Sequence, residues 1–511
     1  MKSLFLALPF VFLISCAQNY TKGKTYKLTI LHTNDHHGRF WSNKDGEYGL
    51  AARATLIKQL REEVENQGGE VLLLDAGDVN TGVPQSDLLD AEPDFKGMAA
   101  IGYDVMAVGN HEFDKPLKTI LKQQKEWAKF PFISANIYND KTNERVFPSH
   151  VTKNLDGLKV TIFGLTTEDT PKKSKPENSA GLTFIPSVEE AKKLVPLLRP
   201  KSDVLIALTH IGHYPDEKHG ADAPGDVTLA RKVDGIDVII GGHTQKPLFK
   251  PDIQNGTIIV QAFEWGKYVG KVDLEFKDGE VTLKNYQLIP VNLKDSAVKI
   301  KDDEKIHALL RPYKEQGDKS LAIEIGSAEV EFIGRRDLVR TQETNLGNLV
   351  ARSYREKFNA DIGLTNSGGI RDSIYPGKIS VETVMMVLPF GGEVVTTEFS
   401  GKDLKNYIEY VVTKLTPGSG SFPQFSGIEV VLDKKSQKIQ SLKVNGKPVT
   451  ASQKYNMALP EFIAKGGDKY PTVPYIKYGH IDADLLKEFI QNKKSDLKAK
   501  DFAPTGYIKI K

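Results

Sequence analysis

The stretch YKLTILHTNDHHG, residues 26–38, is an apolar run followed at once by a polar cluster. A short run of this kind predicts a β-strand that is buried on both faces, as in α/β layers. The polar residues that follow it, Asp35, His36 and His37, then lie where a loop projects side chains from a rigid scaffold. The same pattern recurs along the N-terminal half of the chain and predicts its architecture.

Further apolar runs alternate with segments of helical pattern, and most of them also end in polar residues. This alternation predicts an α/β domain in which polar groups collect at strand ends. Neither a Walker phosphate loop nor a G-x-S-x-G nucleophile elbow is present in the sequence, which argues against those two reaction classes. The runs are EVLLLDAGD, YDVMAVGNHE, LKVTIFGLTTED, SDVLIALTHIGH and IDVIIGGHTQ.

Length and composition predict two domains and no nucleic-acid partner. The chain has 511 residues, of which 40% are hydrophobic and 26% charged, so it is too long for one typical core. Its 69 basic and 66 acidic residues are well mixed and leave a net charge of only +3. We expect a first domain over residues 26–301 and a second over 321–511. Between them, residues 302–320 are expected to form a linker helix and hinge, with a break at GDKS, residues 317–320.

The N-terminus, MKSLFLALPFVFLISC, residues 1–16, has the pattern of a secretory signal peptide and is too short for a stable membrane span. Its ending resembles the bacterial lipobox, which implies that Cys16, the only cysteine of the chain, carries a lipid. A plain signal peptide with a chance cysteine is the alternative. Ala17 and Gln18 follow, and they favour the outer membrane or the periplasmic face of the cell envelope over the inner membrane.

The polar residues at the strand ends predict a metal centre. They offer nitrogen and oxygen ligands without a thiolate, a set that suits zinc, manganese, cobalt or a similar divalent ion. One histidine after a strand is usually a satisfied core or surface residue, but here several coincide in one domain. Two cations held by two carboxylates would keep excess positive charge, which suits a phosphate dianion. The candidates are Asp35, His36, His37, Asp78, Asn110, His111, Asp114, His210, His213, His243 and Gln245.

The motif series NDHHG, GD, GNHEFD, THIGH and GGHTQ resembles the calcineurin-like metallophosphoesterases. It is most similar to the secreted bacterial 5'-nucleotidase/UDP-sugar hydrolase group, over nearly the whole chain. The resemblance implies an α/β protein with an N-terminal four-layer sandwich, a linker helix and a C-terminal α+β 5'-nucleotidase domain. It also implies two divalent ions, with Asp78 as the bridge between them. One ion would be held by Asp35, His37, Asp78 and Gln245, and the other by Asp78, Asn110, His210 and His243.

Within GNHEFD, His111 and Asp114 are three residues apart, so they can face each other on a helical turn. Asp114 would then favour the imidazolium form of His111, and the resemblance implies that this pair is the catalytic dyad. For Glu112 we expect a structural hydrogen bond. His36 and His213 are expected to orient the neighbouring ligands.

The second domain carries arginines that suggest recognition of a phosphate or carboxylate, although ion pairs with Asp337 or Asp372 would be the ordinary interpretation. The aromatic candidates would, by sequence alone, be core residues. The resemblance implies instead that Phe390 and Phe462 sandwich the nucleobase, that Asp468 binds ribose hydroxyls and that Gly427 lines the pocket. It also assigns substrate binding to Arg336, Arg340, Asn366 and Arg371.

Gly392 stands where close relatives of this group carry asparagine, so the preferred base is left open. We predict a lipid-anchored, extracytoplasmic monomer that hydrolyses nucleoside 5'-monophosphates to nucleoside and phosphate, and also ATP, ADP and UDP-sugars. Rotation of the domains would carry the nucleotide to the metals. Two alternatives remain: a 2',3'-cyclic phosphodiesterase/3'-nucleotidase of the same architecture, and an inactive nucleotide-binding lipoprotein.

Overall fold

The computed structural model describes residues 20–174, 176–215, 224–414, 417–433, 435–493 and 496–510. The predicted signal peptide and Cys16 lie outside these residues. In the part of the chain that is described, no helix combines the length and the apolar character needed to cross a membrane.

Two six-stranded sheets pack face to face in the N-terminal half. Their shared core contains Ile30 and Leu72 from one sheet and Ile206 and Val238 from the other. Burial on both faces explains why the strand sequences are continuous apolar runs. In spatial order, the first sheet contains Glu280–Pro290, Tyr268–Lys277, Tyr26–Thr33, Glu70–Asp75, Val105–Ala107 and Phe132–Ile133, and the second contains Asp252–Gln254, Thr257–Gln261, Val238–Gly241, Val204–His210, Leu158–Thr166 and His150–Leu155.

Helices cover the outer face of each sheet. Leu50–Asn66 and Glu92–Ile101 pack on the first sheet, and Ser187–Leu198 and Asp226–Lys232 pack on the second. The predicted four-layer sandwich is therefore confirmed. Shorter elements connect the layers: Pro84–Asp87, His111–Asp114, Leu117–Lys122, Gln123–Ala128, Thr170–Lys173, Pro176–Ser179, Arg199–Lys201 and the strand pair Ile137–Asn139 and Leu182–Phe184.

The central strands of each sheet are parallel, so their carboxyl ends lie at one edge. Thr33 pairs with Asp75 in the first sheet, and Thr166 pairs with His210 in the second. The two edges also meet each other, because Nδ1 of His210 lies 2.6 Å from the main-chain oxygen of Ala76. The polar loops of both sheets consequently converge at one end of the sandwich.

The linker helix runs from Glu304 to Leu321, so the expected break at residues 317–320 is wrong. Asp303 begins the helix by accepting hydrogen bonds from the N–H groups of Lys305 and Ile306. Leu310 packs into the core of the first domain, and Leu321, beyond the expected break, is also buried. Burial of these apolar side chains outweighs the low helix propensity of Gly317.

The C-terminal half is a mixed α+β unit, as predicted. Two cores lie on either side of a five-stranded sheet, which explains the helical and strand patterns of this region. Its strands, in spatial order, are Pro423–Ser426, Ile362–Asn366, Lys454–Pro460, Glu393–Ser400 and Ile476–Ile481; a second sheet contains Lys447–Pro448, Ile439–Val444, Ile428–Leu432 and Ile508–Ile510, and a pair is formed by Glu324–Ala328 and Gly377–Ser380. The helical segments are Arg336–Val339, Asn345–Lys357, Ser367–Gly369, Val381–Val387, Gly401–Lys414, Glu461–Ala464, Gly467–Lys469, Asp482–Asn492 and Ala499–Asp501.

Candidate metal centre and nucleotide site

The backbone of the converging loops is in the left-handed region at several predicted ligands. Asp35 has φ 51°, His37 52° and Asp78 60°. Main-chain bonds between loops hold these turns, since the N–H of His37 donates to the oxygen of Asp78 over 3.0 Å. Left-handed backbone outside glycine is unfavourable and concentrates at functional sites. The folding of the sandwich therefore stabilises a loop geometry that aims these side chains at one point.

Asp78 lies at the centre of the cluster. Its Oδ2 atom is 2.9 Å from Nε2 of His210 and 3.9 Å from Nε2 of His37. Two groups of possible ligands share it, and within each group the ligand atoms lie within 4.8 Å of one another. The first group is His37, Asp78 and His111, and the second is Asp78, His210 and His243.

Two buried oxygens beside this cluster lack hydrogen-bond partners among the described residues. They are Oδ1 of Asp35 and Oδ1 of Asn110, and the first lies 3.8 Å from Nε2 of His37. Burial raises the pKa of Asp35 to about 7. Orphaned oxygens amid imidazole nitrogens fit a divalent cation, which would supply the missing partner and favour the carboxylate.

Main-chain carbonyls orient the imidazoles. Nδ1 of His37 lies 2.8 Å from the oxygen of Thr81, and Nδ1 of His210 lies against Ala76, so each Nε2 faces the cluster. The amide of Gln245 reaches the same point, 2.7 Å from Nε2 of His37. Burial also lowers the pKa of His37, which favours the neutral ring that binds metals. Sequence reasoning missed these carbonyls, because a backbone acceptor leaves no mark in the sequence.

His36 and His213 contact carboxylates behind the ligands. Nε2 of His36 lies 2.9 Å from Oδ1 of Asp94, and its Nδ1 is 3.1 Å from Nη2 of Arg53. Nε2 of His213 lies 2.9 Å from Oδ2 of Asp252. These contacts tie both rings to the surrounding fold, and the expected orienting role of the two histidines stays a prediction.

His111 and Asp114 face each other across one short turn of helix, His111–Asp114, as predicted. Nδ1 of His111 lies 2.6 Å from Oδ2 of Asp114. Burial alone would lower the pKa of His111, but the carboxylates of Asp114 and Asp78 raise it to about 9. The imidazolium form therefore predominates at neutral pH.

Glu112 makes the structural hydrogen bonds that were expected of it. Its two carboxylate oxygens accept from four main-chain N–H groups, at distances of 2.7 to 3.2 Å. A buried carboxylate used in this way fixes the relative position of two loops. The donors are Asp78, Val79, Asn80 and Gly109.

The second domain contacts the first domain at His111. The ring of Phe390 stacks on the imidazole of His111, with centroids 5.8 Å apart and an angle of 14° between the planes. The guanidinium carbon of Arg371 lies 5.3 Å from the centroid of the Phe390 ring. An aromatic ring and a cation of the predicted nucleotide pocket thus lie directly beside His111.

The other predicted pocket residues form a neighbouring cluster. Nδ2 of Asn366 donates to Oδ2 of Asp468 over 2.7 Å, and the ring of Phe462 packs against Gly467. Burial, together with the charges of Arg336 and Arg371, lowers the pKa of Arg340 to about 10. Guanidinium groups that repel one another in this way make the pocket attractive to an anion.

Gly427 is not brought to this cluster. In the register of the sheet, Asn366 pairs with Pro423 whereas Ser426 pairs with Gly363, so Gly427 lies at the other end of the strand pair. There it packs against Asp361 and Arg355. Gly420 and Gly368 occupy the place expected for it, since a Cβ on either would lie 3.0 to 3.3 Å from Oδ2 of Asp468.

Gly420 lies in the glycine-containing segment PGSGS, residues 417–421. Such a segment can indicate that the backbone passes close to other groups, so the sequence did contain a sign of this position. Gly392 contacts Asp482, whose N–H donates to its main-chain oxygen over 2.8 Å. This contact does not distinguish one base from another, so it adds nothing to the base preference that the sequence left open.

Comparison with known proteins gives two matching family models. Residues 28–247 match the calcineurin-like phosphoesterase model, and residues 324–475 match the 5'-nucleotidase C-terminal domain. The chain is 46% identical to a 5'-nucleotidase of Vibrio vulnificus, over 97% of this chain and 95% of that protein. It is 44% identical to protein UshA of Escherichia coli, over 99% and 98% of the two chains.

The fold is also similar to a solved structure of a 5'-nucleotidase precursor from Thermus thermophilus. That structure shows a TM-score of 0.77 at 28% identity and covers 95% of this chain and 99% of its own. A sulfate thiohydrolase, SoxB, from the same species superimposes with a TM-score of 0.71 at 18% identity, over 96% of this chain and 98% of its own, a likeness of fold alone.

Proposed function

The chain belongs to the 5'-nucleotidase family and is a metal-dependent phosphoesterase, and from that premise we propose that it removes phosphate from nucleoside 5'-monophosphates. The contact of Phe390 with His111 carries this proposal. It brings an aromatic ring that can stack on a base next to the side chains that would bind a phosphate. The proposal extends to ATP, ADP and UDP-sugars as further substrates.

We assign two divalent ions, of zinc, manganese, cobalt or similar chemistry, to the metal centre. When bound, such ions polarise phosphoryl oxygens and lower the pKa of water. The orphaned oxygens of Asp35 and Asn110 and the shared position of Asp78 support the assignment. Asp35, His37, Asp78 and Gln245 would hold one ion, and Asp78, Asn110, His210 and His243 would hold the other.

His111 and Asp114 are the proposed catalytic dyad. The Nδ1–H group of the imidazolium donates to Oδ2 of Asp114, which leaves the Nε2–H group for the phosphoryl oxygens or the leaving O5' atom. The pKa of about 9 keeps that proton in place at neutral pH. Arg371 and Asn110 would stabilise the charge that develops on the phosphate.

The proposed nucleotide pocket belongs to the second domain. Phe390 and Phe462 would stack on the base, and Asp468, held by Asn366, would bind ribose hydroxyls. Arg336 and Arg340 would bind charged groups of the substrate. We place Gly420 in this pocket, because it packs against Asp468 whereas Gly427 does not.

Domain limits of 26–301, 302–320 and 321–511 are proposed from the sequence patterns, although the linker helix itself continues without a break to Leu321. Because residues 1–16 have a signal-peptide pattern that ends in a lipobox-like LISC, we propose a monomer anchored by lipidated Cys16 in the bacterial envelope. Radiolabelled palmitate should be incorporated into the wild-type chain and not into a Cys16→Ala variant.

The decisive experiment measures phosphate release by protein that begins after Cys16, stripped with a chelator and then supplied with manganese, zinc or cobalt. Substrates are 5'-AMP, 3'-AMP, 2',3'-cyclic AMP, ATP and UDP-glucose. We expect metal-dependent release from 5'-AMP, and none from Asp78→Ala. Turnover of 3'-AMP or 2',3'-cyclic AMP alone would replace the proposed substrate, and nucleotide binding without any turnover would identify a binding protein.

A further inference from the structure

Arg39 lies in the loop of metal ligands but is itself no metal ligand. Its Nη1 atom donates to the main-chain oxygen of His37, and its guanidinium carbon stacks over Trp265, 4.2 Å from the ring centroid. Gly82 leaves the space for Nη1, since a Cβ there would collide with it. The guanidinium is therefore held in one place by packing on three sides.

Arg371 reaches the same region from the other domain. It lies over Phe390, Phe390 stacks on His111, and the ring of His111 meets the ring of His37 with centroids 5.1 Å apart. Arg39 holds the backbone of His37. The two arginines thus flank the His37 and His111 pair, one from each domain.

Neither guanidinium forms an ion pair within 4.0 Å in the part of the chain that the structure describes. Burial and the charges of Arg336 and Arg39 lower the pKa of Arg371 to about 10, and the carboxylates of Asp114 and Glu264 oppose this shift. Glu264 acts electrostatically on both arginines, but among the described residues it pairs directly with neither guanidinium, so both can still form direct hydrogen bonds to an anion.

We propose that Arg39 is a phosphate-binding residue, which holds the phosphoryl oxygens from the metal domain while Arg371 holds them from the nucleotide domain. A phosphate between the two guanidinium groups replaces repulsion by charge-assisted hydrogen bonds to both. The anion thereby favours the arrangement in which the domains meet. This inference rests on the proposed function for the identity of the anion.

We call Arg39 and Arg371 together the clamp. The test compares two ligands, inorganic phosphate and adenosine, of which only phosphate should depend on the clamp. Inhibition or binding constants of both are measured on metal-loaded protein that begins after Cys16. Arg39→Met keeps the apolar stem on Trp265 and removes the charge, so we expect phosphate binding to weaken roughly tenfold or more and adenosine binding to stay unchanged. Arg39→Lys restores the charge and should recover part of the phosphate affinity.

Arg61→Met is the matched control, because Arg61 also donates to a main-chain oxygen, that of Gly102, but on the exposed surface. It should leave both constants as in the wild type. Unchanged phosphate binding in Arg39→Met, or equal weakening of phosphate and adenosine, overturns the inference. If Arg39→Met does not fold, Arg39→Lys decides, and weaker phosphate binding with unchanged adenosine binding is then required.

The outcome is separable from the proposed function. Should the wild type turn over 5'-AMP while Arg39→Met binds phosphate normally, the inference fails and the function stands. Should the wild type fail on 5'-AMP while phosphate binding depends on Arg39, the function fails and the clamp stands.

Discussion

The main-chain N–H of Asp78 donates to Oε2 of Glu112 over 3.0 Å, so a carboxylate on one loop positions the central residue of the candidate ligand cluster on another. Glu112→Ala leaves four buried N–H groups without an acceptor. We expect metal affinity to fall about 10- to 100-fold and the melting temperature to drop. Titration of chelator-treated protein with zinc or manganese measures the first effect.

Glu190→Ala is the control for this variant, because Glu190 is also a buried carboxylate but binds Tyr138 and Arg145 away from the cluster. It should lower the melting temperature and leave metal affinity unchanged. Normal metal affinity in Glu112→Ala would show that Glu112 serves only the fold.

Asp114→Asn should shift the alkaline limb of the pH profile. The carboxylates of Asp114 and Asp78 raise the pKa of His111 from 6.5 to about 9, so the wild type keeps the imidazolium up to about pH 9 and loses it above. Without Asp114 the proton leaves at lower pH, and the falling limb of kcat moves toward neutrality. His111→Ala should lower kcat by about 10²- to 10⁴-fold. A limb at the same pH in Asp114→Asn would contradict the dyad.

The same pair makes stability depend on pH. Because the folded-state pKa of His111 lies above its unfolded value of 6.5, the pair contributes stability that is complete below about pH 6.5 and is lost as the pH rises through about 9. Asp114→Asn should therefore be less stable than the wild type at about pH 6, and the difference should disappear above about pH 9. Denaturant unfolding at the two pH values measures it.

Phe390→Ala and Phe462→Ala should separate base binding from phosphate chemistry. Loss of one stacking face is expected to raise KM for 5'-AMP by about 2- to 10-fold. Ribose 5-phosphate has no base, so its KM should not change. Tyr375→Ala, at an exposed aromatic of the same domain, is the control. Equal effects on both substrates would mean that the rings act through the dyad or the fold.

Two glycine variants should behave in opposite ways. Gly420→Ala adds a Cβ 3.2 Å from the Cα of Gly368 and 3.3 Å from Oδ2 of Asp468, so KM for 5'-AMP should rise, with a smaller loss of stability than in Gly427→Ala. Gly427 has φ 87° and its Cβ would collide with the main chain of Asp361. Gly427→Ala should destabilise the fold by roughly 1–3 kcal/mol and leave KM unchanged. A KM effect in Gly427→Ala alone would restore the original sequence interpretation.

Domain rotation can be tested at an ion pair across the domain boundary. Nζ of Lys465 lies 3.3 Å from Oε2 of Glu177. Protein that begins after Cys16 contains no cysteine, because Cys16 is the only one in the sequence. Cysteines at these two positions, joined by a short bifunctional reagent, should lower turnover of 5'-AMP, with recovery after cleavage of the link. Full turnover while cross-linked would exclude a required rotation.

Sequence patterns were sufficient to predict the α/β layers, the order of the strands along the chain and the polar residues at their ends. These features depend on neighbouring residues alone, because a buried strand requires an apolar run and the loop that follows it is polar. The contact of His111 with Asp114 was equally local, since it depends only on spacing along one helical turn.

Contacts between groups that are distant in the chain could be read only from the three-dimensional packing. The stacking of Phe390 on His111, the four N–H groups on Glu112 and the place of Gly420 beside Asp468 each join segments far apart in the chain. The linker helix continues through Gly317 for the same reason, because packing against another part of the fold outweighs local propensity. Such contacts depend on sheet register and domain placement, which no local pattern of residues encodes.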